Sequence, residues 1–302
     1  MDRFSQRAKD QSGDLVDEQH EHLPVFELYV SRARRLLRAS YRRLLHRKLR
    51  SKEDIRHFYD SEFLSDISFM NYGYATEEDA PLPDNDRSEY FSYQLYKQVV
   101  DGVDLTGQRV LEVSCGHGAG ANYLTRLFQI GSLTALDYSI GGIHIARDKY
   151  GANPALRFSL GDAELLPFAD NTFDVVVNIE AATCYNSRKQ FFSEVQRVLK
   201  SGGWFLYCDI LFVPYDPSGD LVNSNLAIQH QRDITNNVIR SLDLDSKRRE
   251  ALIKRHVGKA DDRWFKAWAG VKGYGVHKGL VEGKRSYILI RAKKLAELGL
   301  AQ

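Results

Sequence analysis

The sequence predicts an α/β fold: a doubly wound, mostly parallel seven-stranded sheet with an N-terminal helical extension and a helical cap insertion. Three observations predict it. Short β-rich runs at 110–114, 133–137, 156–160, 173–178 and 204–209 alternate with helix-like segments at 120–128, 141–150 and 187–199. The run RVLEVSCGHGAGANYLTRLF passes from a strand directly through Gly116, Gly118 and Gly120 into a helix. The acid Asp137 then closes the second strand, about 20 residues on, where a nucleoside-binding sheet carries its ribose acceptor. Strands buried on both faces and joined by helical crossovers require a parallel sheet with right-handed βαβ units.

Before the sheet, residues 1–30 are polar and mildly acidic, and they are expected to fray unless they dock on a partner. Residues 32–50 carry Arg32, Arg34, Arg35, Arg38, Arg42, Arg43, Arg47, Lys48 and Arg50 without one acid. Ala33, Leu37, Tyr41, Leu44, Leu45 and Leu49 recur there at helical spacing, which predicts a basic amphipathic helix. Its apolar stripe is expected to pack on the domain or on a second copy, making it a route to a homo-oligomer. Its basic face leaves peripheral contact with an anionic membrane open. Residues 58–96 are rich in aromatics, and the proline-acid segment 77–86 divides them as a loop.

Within the sheet, 161–172 reads as a loop around Pro167 rather than a helical crossover. After Asp209, Pro214, Pro217 and Gly219 mark a loop, and 223–256 reads as mostly helical, a cap over the ligand edge. Residues 264–272 and 286–293, joined through GYGVHKGLVEG, read as a closing β-hairpin. The expected division is therefore 1–100 for the extension and aromatic lid, 101–210 for the core, 211–262 for the cap and 263–302 for the hairpin and tail.

Composition narrows the class. A chain of 302 residues with 43% hydrophobic and 27% charged residues can bury a substantial core. A net charge of +2 argues against a dedicated nucleic-acid binder. Cys115, Cys184 and Cys208 are spaced for neither a disulfide framework nor a zinc site, and no metal is expected. No apolar leader and no bilayer-length stretch occurs in the sequence, which predicts a cytoplasmic protein.

Glycines are needed after the first strand because the backbone turns sharply and approaches a ligand without Cβ interference. That turn alone suits NAD, FAD or S-adenosylmethionine. A P-loop is excluded, since no Gly-Lys-Ser/Thr follows. The segment GDAELLPFADNTFDVVV then places Asp162 at the third strand's end, where it can accept from an adenine amino group beside the Ala163 amide. Glu112, Asp137 and Asp162 on three successive strands, the LLPF-acid-FD run and RVLKSGGWFLYCD together resemble the S-adenosylmethionine-dependent methyltransferases of Rossmann-like fold. A ligand with a sulfonium, an ammonium and no phosphate suits carboxylates and aromatic faces. The resemblance implies S-adenosyl-L-methionine as cofactor and S-adenosyl-L-homocysteine as product. It implies a cofactor set of Tyr72, Tyr74, Glu112, Ser114, Gly116, Gly118, Asp137, Tyr138, Asp162, Ala163, Asn178 and Ile179. A dehydrogenase or epimerase on the same fold is the distant alternative, weakened by Asp162 and by the lack of a Tyr-x-x-x-Lys pair after the fourth strand.

VLEVSCGHGAGANYLTR, NIEAATCY, FMNYGYATEED and AGVKGYGVHKGLVEGKRSYIL are more particular. They resemble the mycobacterial phthiotriol/phenolphthiotriol dimycocerosate methyltransferases over about residues 67–293, and related natural-product C-methyltransferases. The resemblance implies methyl transfer to a lipophilic secondary metabolite, a polyketide, lipid or terpenoid. One departure matters: the family pattern Glu-Ala-Ser-His-Cys-Tyr stands here as Glu180-Ala181-Ala182-Thr183-Cys184-Tyr185, so position 183 lacks an imidazole base. For O-methylation of a hydroxyl, the slightly favoured chemistry, Glu180, His230 or His277 would take the proton. For C-methylation of a prenyl double bond, Tyr72, Tyr74, Tyr185 or Trp204 would face a carbocation, with arginines available to a diphosphate. Tyr185, Cys184, Trp204 and Trp268 are the expected substrate contacts. His117 is expected to hydrogen-bond within the glycine loop and His144 to be structural.

Overall fold

The protein, as a computed structural model, is described over residues 67–81, 89–256 and 262–296. The chain separates into two units, Met1–Lys48 and Leu49–Gln302, and the account below concerns the second. The basic segment at 32–50 and the first aromatics of the lid, Phe58, Tyr59 and Phe63, lie outside the described residues.

The elements run α1 (Tyr90–Val100), β1 (Arg109–Val113), α2 (Ala119–Leu127), β2 (Ser132–Asp137), α3 (Ile140–Tyr150), β3 (Leu156–Leu160) and β4 (Phe173–Ile179). They continue with a 3-10 turn (Ala182–Cys184), α4 (Arg188–Val198), β5 (Leu199–Phe212), α5 (Ser218–Asn223), β6 (Leu226–Asp233), α6 (Thr235–His256), α7 (Asp262–Trp268), α8 (Gly275–Val281) and β7 (Arg285–Lys294). The sheet has seven strands in the order β3-β2-β1-β4-β5-β7-β6. The first five are parallel, and β7 runs antiparallel to both β5 and β6.

Alternation along the strands builds two cores. On one face Val110, Leu133, Val175, Val177, Leu206 and Leu289 meet α1, α2, α3 and α6. On the other, Leu111, Val113, Leu136, Val176, Phe205 and Ile290 meet Phe191, Phe192 and Val195 of α4. Phe191 and Phe192 are fully buried, and each such side chain contributes about 2 kcal/mol or more.

Three expectations change. The strand expected at 264–272 is instead α7: Trp264 and Trp268 lie one helical turn apart with rings stacked at 6.4 Å. Tryptophan and phenylalanine are β-prone, but the i, i+4 ring pair favours the helix. The loop expected at GYGVHKGLVEG contains α8. The closing antiparallel partner of β7 is β6, which lies in the stretch expected to be a helical cap. LAIQHQRD is an edge strand with several exposed residues, so it carries little of the apolar alternation that identifies a strand.

Candidate active site

After β1 the chain crosses to one face through α2, and after β4 it crosses to the other through α4. β1 and β4 are adjacent, so the sheet's switch point lies between them, where a ligand crevice opens beyond the strand ends. Each of these strands is followed by a non-glycine residue in left-handed backbone: Ser114 at φ 62° and Glu180 at φ 52°. Such conformations cost about 1–3 kcal/mol each and concentrate at functional sites. Both residues line a cavity at this edge with about 970 Å³ of empty space counting its open mouth.

Asp137 organises the glycine turn. Its Oδ2 accepts the Gly116 N–H at 2.7 Å and its Oδ1 accepts the Ser139 N–H at 2.8 Å. The Ser139 hydroxyl in turn accepts from Gly142 N at 2.8 Å and caps α3. Gly116 takes φ 55° and borders the cavity. Asp162, Ala163, Tyr138 and Ile179 also line the cavity, with Ser114, Cys184 and Tyr185. The Tyr185 hydroxyl lies 2.7 Å from Ser114 Oγ and accepts from Asn178 Nδ2 at 2.9 Å.

Several expected contacts stand off the wall. Gly118 packs instead: a Cβ there would sit 2.5 Å from the Phe158 ring. Glu112 is buried behind the cavity, where Tyr96 Oη donates to its Oε1 at 2.6 Å. Its Oε2 has no hydrogen-bond partner among the described residues, and burial pushes the carboxyl up to about 7. Asn178 is fully buried, its amide nitrogen donating to Val113 O and the Tyr185 hydroxyl. Tyr74 is buried with its hydroxyl against Arg232, and Tyr72 donates its hydroxyl to Trp268 O. Trp268 therefore serves that bond through its backbone. Trp204 is level with Val175 near the start of β4, the opposite end of the sheet from the crevice, under Lys293 Nζ at 4.4 Å. His230 is exposed on the edge strand β6. His277 is buried between the Gly273 N–H and Asp243 Oδ1, fixing the turn before α8. Neither histidine reaches the wall. Of the three expected bases, only Glu180 does.

Glu180 accepts the Tyr72 N–H at 2.6 Å and the Tyr287 hydroxyl, both on Oε1. Its own N–H donates to Cys208 O at 2.8 Å. Burial outweighs the two donors and pushes the carboxyl up to about 8. The Cys184 thiol is exposed to solvent inside the concavity, yet the dense protein around it pushes it up to about 12. Thr183 turns away: its hydroxyl donates to Ile210 O at 2.6 Å and its N–H to Asp209 Oδ2 at 2.9 Å.

Sequence reasoning missed part of the wall. Ser68, Phe69, Met70 and Asn71 form a strip over the crevice, and Tyr96 of α1 completes it. The aromatic density of 58–96 and the FMNYGYATEED motif hinted at this, without saying which residues face inward.

The wall suits S-adenosylmethionine. It presents three carboxyl groups, Asp137, Asp162 and Glu180, and no lysine or arginine among the described residues. That acceptor set matches a cation with a ribose diol and offers nothing to a pyrophosphate. Among the described residues, no cluster of His, Cys, Asp and Glu could hold a metal ion, and no helix is long and apolar enough to cross a membrane.

Residues 111–207 match the family model described as a methyltransferase domain. The phthiotriol/phenolphthiotriol dimycocerosates methyltransferase of Mycobacterium leprae (strain TN) is 38% identical over 230 residues, covering 74% of this chain and 83% of that one. A fatty-acid O-methyltransferase of Mycolicibacterium smegmatis is 40% identical over 197 residues, covering 63% of this chain and 70% of that one. Among solved structures, the [4+2]-cyclase SpnF superposes with a TM-score of 0.65 at 21% identity, over 82% of this chain and 97% of that one. The geranyl diphosphate C-methyltransferase of Streptomyces coelicolor A3(2), solved with Mg2+, geranyl diphosphate and S-adenosyl-L-homocysteine, superposes with a TM-score of 0.60 at 16% identity. That match covers 80% of this chain and 97% of the other. The two structural likenesses establish the shared fold.

Proposed function

This chain belongs to the phthiotriol/phenolphthiotriol dimycocerosates methyltransferase family of S-adenosylmethionine-dependent enzymes, and from that premise we propose that it methylates an oxygen of a lipophilic small molecule. The observation that carries the oxygen acceptor is Glu180, a carboxyl group at the cavity wall pushed up to about 8. An alkyl hydroxyl needs its proton removed as it attacks, and a base serves best when its pKa lies near the working pH.

S-adenosylmethionine, when bound, supplies an electrophilic methyl group on sulfur. Asp137 and Asp162 are proposed to hold its nucleoside end, Asp137 toward the ribose hydroxyls and Asp162 with the Ala163 amide toward the base. The acceptor hydroxyl would give its proton to Glu180 Oε2 while its oxygen takes the methyl carbon, the carbon–sulfur bond breaking and S-adenosyl-L-homocysteine leaving as the neutral thioether. Both hydrogen bonds to Glu180 fall on Oε1, which leaves Oε2 for that proton. Tyr185 and Cys184 are proposed to border the acceptor. The names of the relatives, which act on dimycocerosates and fatty acids, support a lipophilic acceptor. The absence of lysine and arginine from the described wall weighs against a diphosphate-bearing acceptor and hence against prenyl C-methylation.

Calorimetry with S-adenosylmethionine and S-adenosylhomocysteine, then labelled methyl transfer to long-chain alcohols, alkyl phenols and fatty acids, tests the reading. Saturable binding and a methyl ether product are expected. A methyl on carbon beside a retained hydroxyl would turn the reading to C-methylation, and NADH binding in place of both cofactor forms would overturn it.

A further inference from the structure

We propose that Tyr287 is a positioning residue for Glu180: its phenol grips the carboxyl group by Oε1 and so turns Oε2 toward the acceptor. The inference rests on Glu180 being the base.

Tyr287 lies on β7, two strands from Glu180 in the sheet order, and pairs in register with Ile210 of β5. It is fully buried, and its main chain is fixed at both polar atoms. Its N–H donates to Thr235 Oγ1 at 2.8 Å and its carbonyl accepts from Ile234 N at 2.8 Å. The phenol is therefore delivered by a rigid strand rather than a loop. A buried hydroxyl without an acceptor is costly, and the acceptor here is Glu180 Oε1. The same oxygen takes the Tyr72 N–H from the strip over the cavity, and the Glu180 main chain is tied to Cys208. Two donors from two segments thus fix the side chain, a third bond holds its main chain, and the second oxygen carries no hydrogen bond among the described residues. A carboxyl group held only for stability does not require both donors on one oxygen, although each oxygen has the lone pairs to take two. One held for proton transfer needs its other oxygen free and aimed.

The charged and titratable groups around Glu180 are Asp209 and Cys208 of β5, Tyr287 of β7, Tyr72 of the strip, Arg249 of α6, Tyr96 of α1 and Cys184 of the 3-10 turn. Burial, with Asp209 second to it among the raising influences, favours the protonated form; the Tyr287 and Tyr72 donors oppose it. Removing the phenol donor therefore destabilises the anion and raises the midpoint.

The test needs no acceptor. In the full chain, a pH titration by difference infrared spectroscopy follows the carboxyl stretch, and Glu180→Gln identifies the band by deleting it. Tyr287→Phe is expected to move that band's midpoint upward by about one pH unit. Should Tyr287→Phe fail to fold, 3-fluorotyrosine at 287 keeps the packing and strengthens the donor, and the midpoint is expected to move downward. A midpoint unmoved in whichever of these proteins folds overturns the positioning role. Failure of the base reading shows separately, as full turnover by Glu180→Gln, and would remove the catalytic purpose while leaving any measured coupling in place.

Discussion

The Tyr72 amide donates to the Glu180 carboxylate at 2.6 Å, joining the strip that precedes the sheet to the end of β4 across 108 positions of sequence. The strip is clamped from its other side as well. Arg249 reaches Asn71 O at 3.2 Å and Ser241 Oγ reaches Tyr72 O at 2.9 Å, both from α6. Glu180 is thus both a part of the cavity wall and a fastening for the segment that covers it.

Gly73 makes that clamp sterically possible. It takes φ 78°, and a Cβ there would lie 2.4 Å from Ser241 Oγ and 2.8 Å from Phe91 Cβ. Gly73→Ala is expected to cost about 2 kcal/mol or more, seen in denaturant unfolding, and to weaken cofactor affinity by calorimetry as the strip lifts.

Asp137 holds Gly116 and Ser139 with separate oxygens. In Asp137→Asn one of those oxygens becomes an amide donor facing a backbone donor. Affinity for S-adenosylmethionine and S-adenosylhomocysteine is expected to fall tenfold or more, about 1.5–3 kcal/mol, in calorimetric titrations. An unchanged affinity would remove Asp137 from the cofactor site.

Glu112, Glu180 and Asp209 are pushed up by burial to about 7, 8 and 6. Raised carboxyl values mean that the folded state keeps protons the unfolded chain has released. Their stabilising contribution is complete below the ordinary carboxylate range and is lost as pH rises through the folded values. Thermal stability is expected to fall between about pH 5 and pH 8, and Glu112→Gln to flatten that slope. A slope identical in the variant would show that Glu112 does not contribute to it.

Local signals made much of this legible. The strand–glycine–helix passage fixed β1 and the turn at Gly116, and strand-end acids marked Asp137 and Asp162, all of which meet at the cavity. The exceptions have physical causes. β6 is an edge strand with little apolar alternation, and α7 hides its helical spacing behind β-prone aromatics. His277 was a plausible base by residue type, but folding spends both ring nitrogens on Gly273 and Asp243. The missing imidazole at Thr183 loses much of its weight, because that side chain points to Ile210 O. Tyr287 carried no local sign at all: its role exists only because β7 lies antiparallel beside β5.

Glu180→Gln tests the central claim most directly, since glutamine can still accept from Tyr72 and Tyr287 but cannot take a proton. Methyl transfer to a hydroxyl acceptor found in the alcohol and phenol panel is to be compared between the two proteins at neutral pH. Turnover is expected to drop about 100-fold or more, with S-adenosylmethionine affinity retained. Undiminished turnover, with the methyl group found on that hydroxyl oxygen, would contradict the assignment of Glu180 as the base.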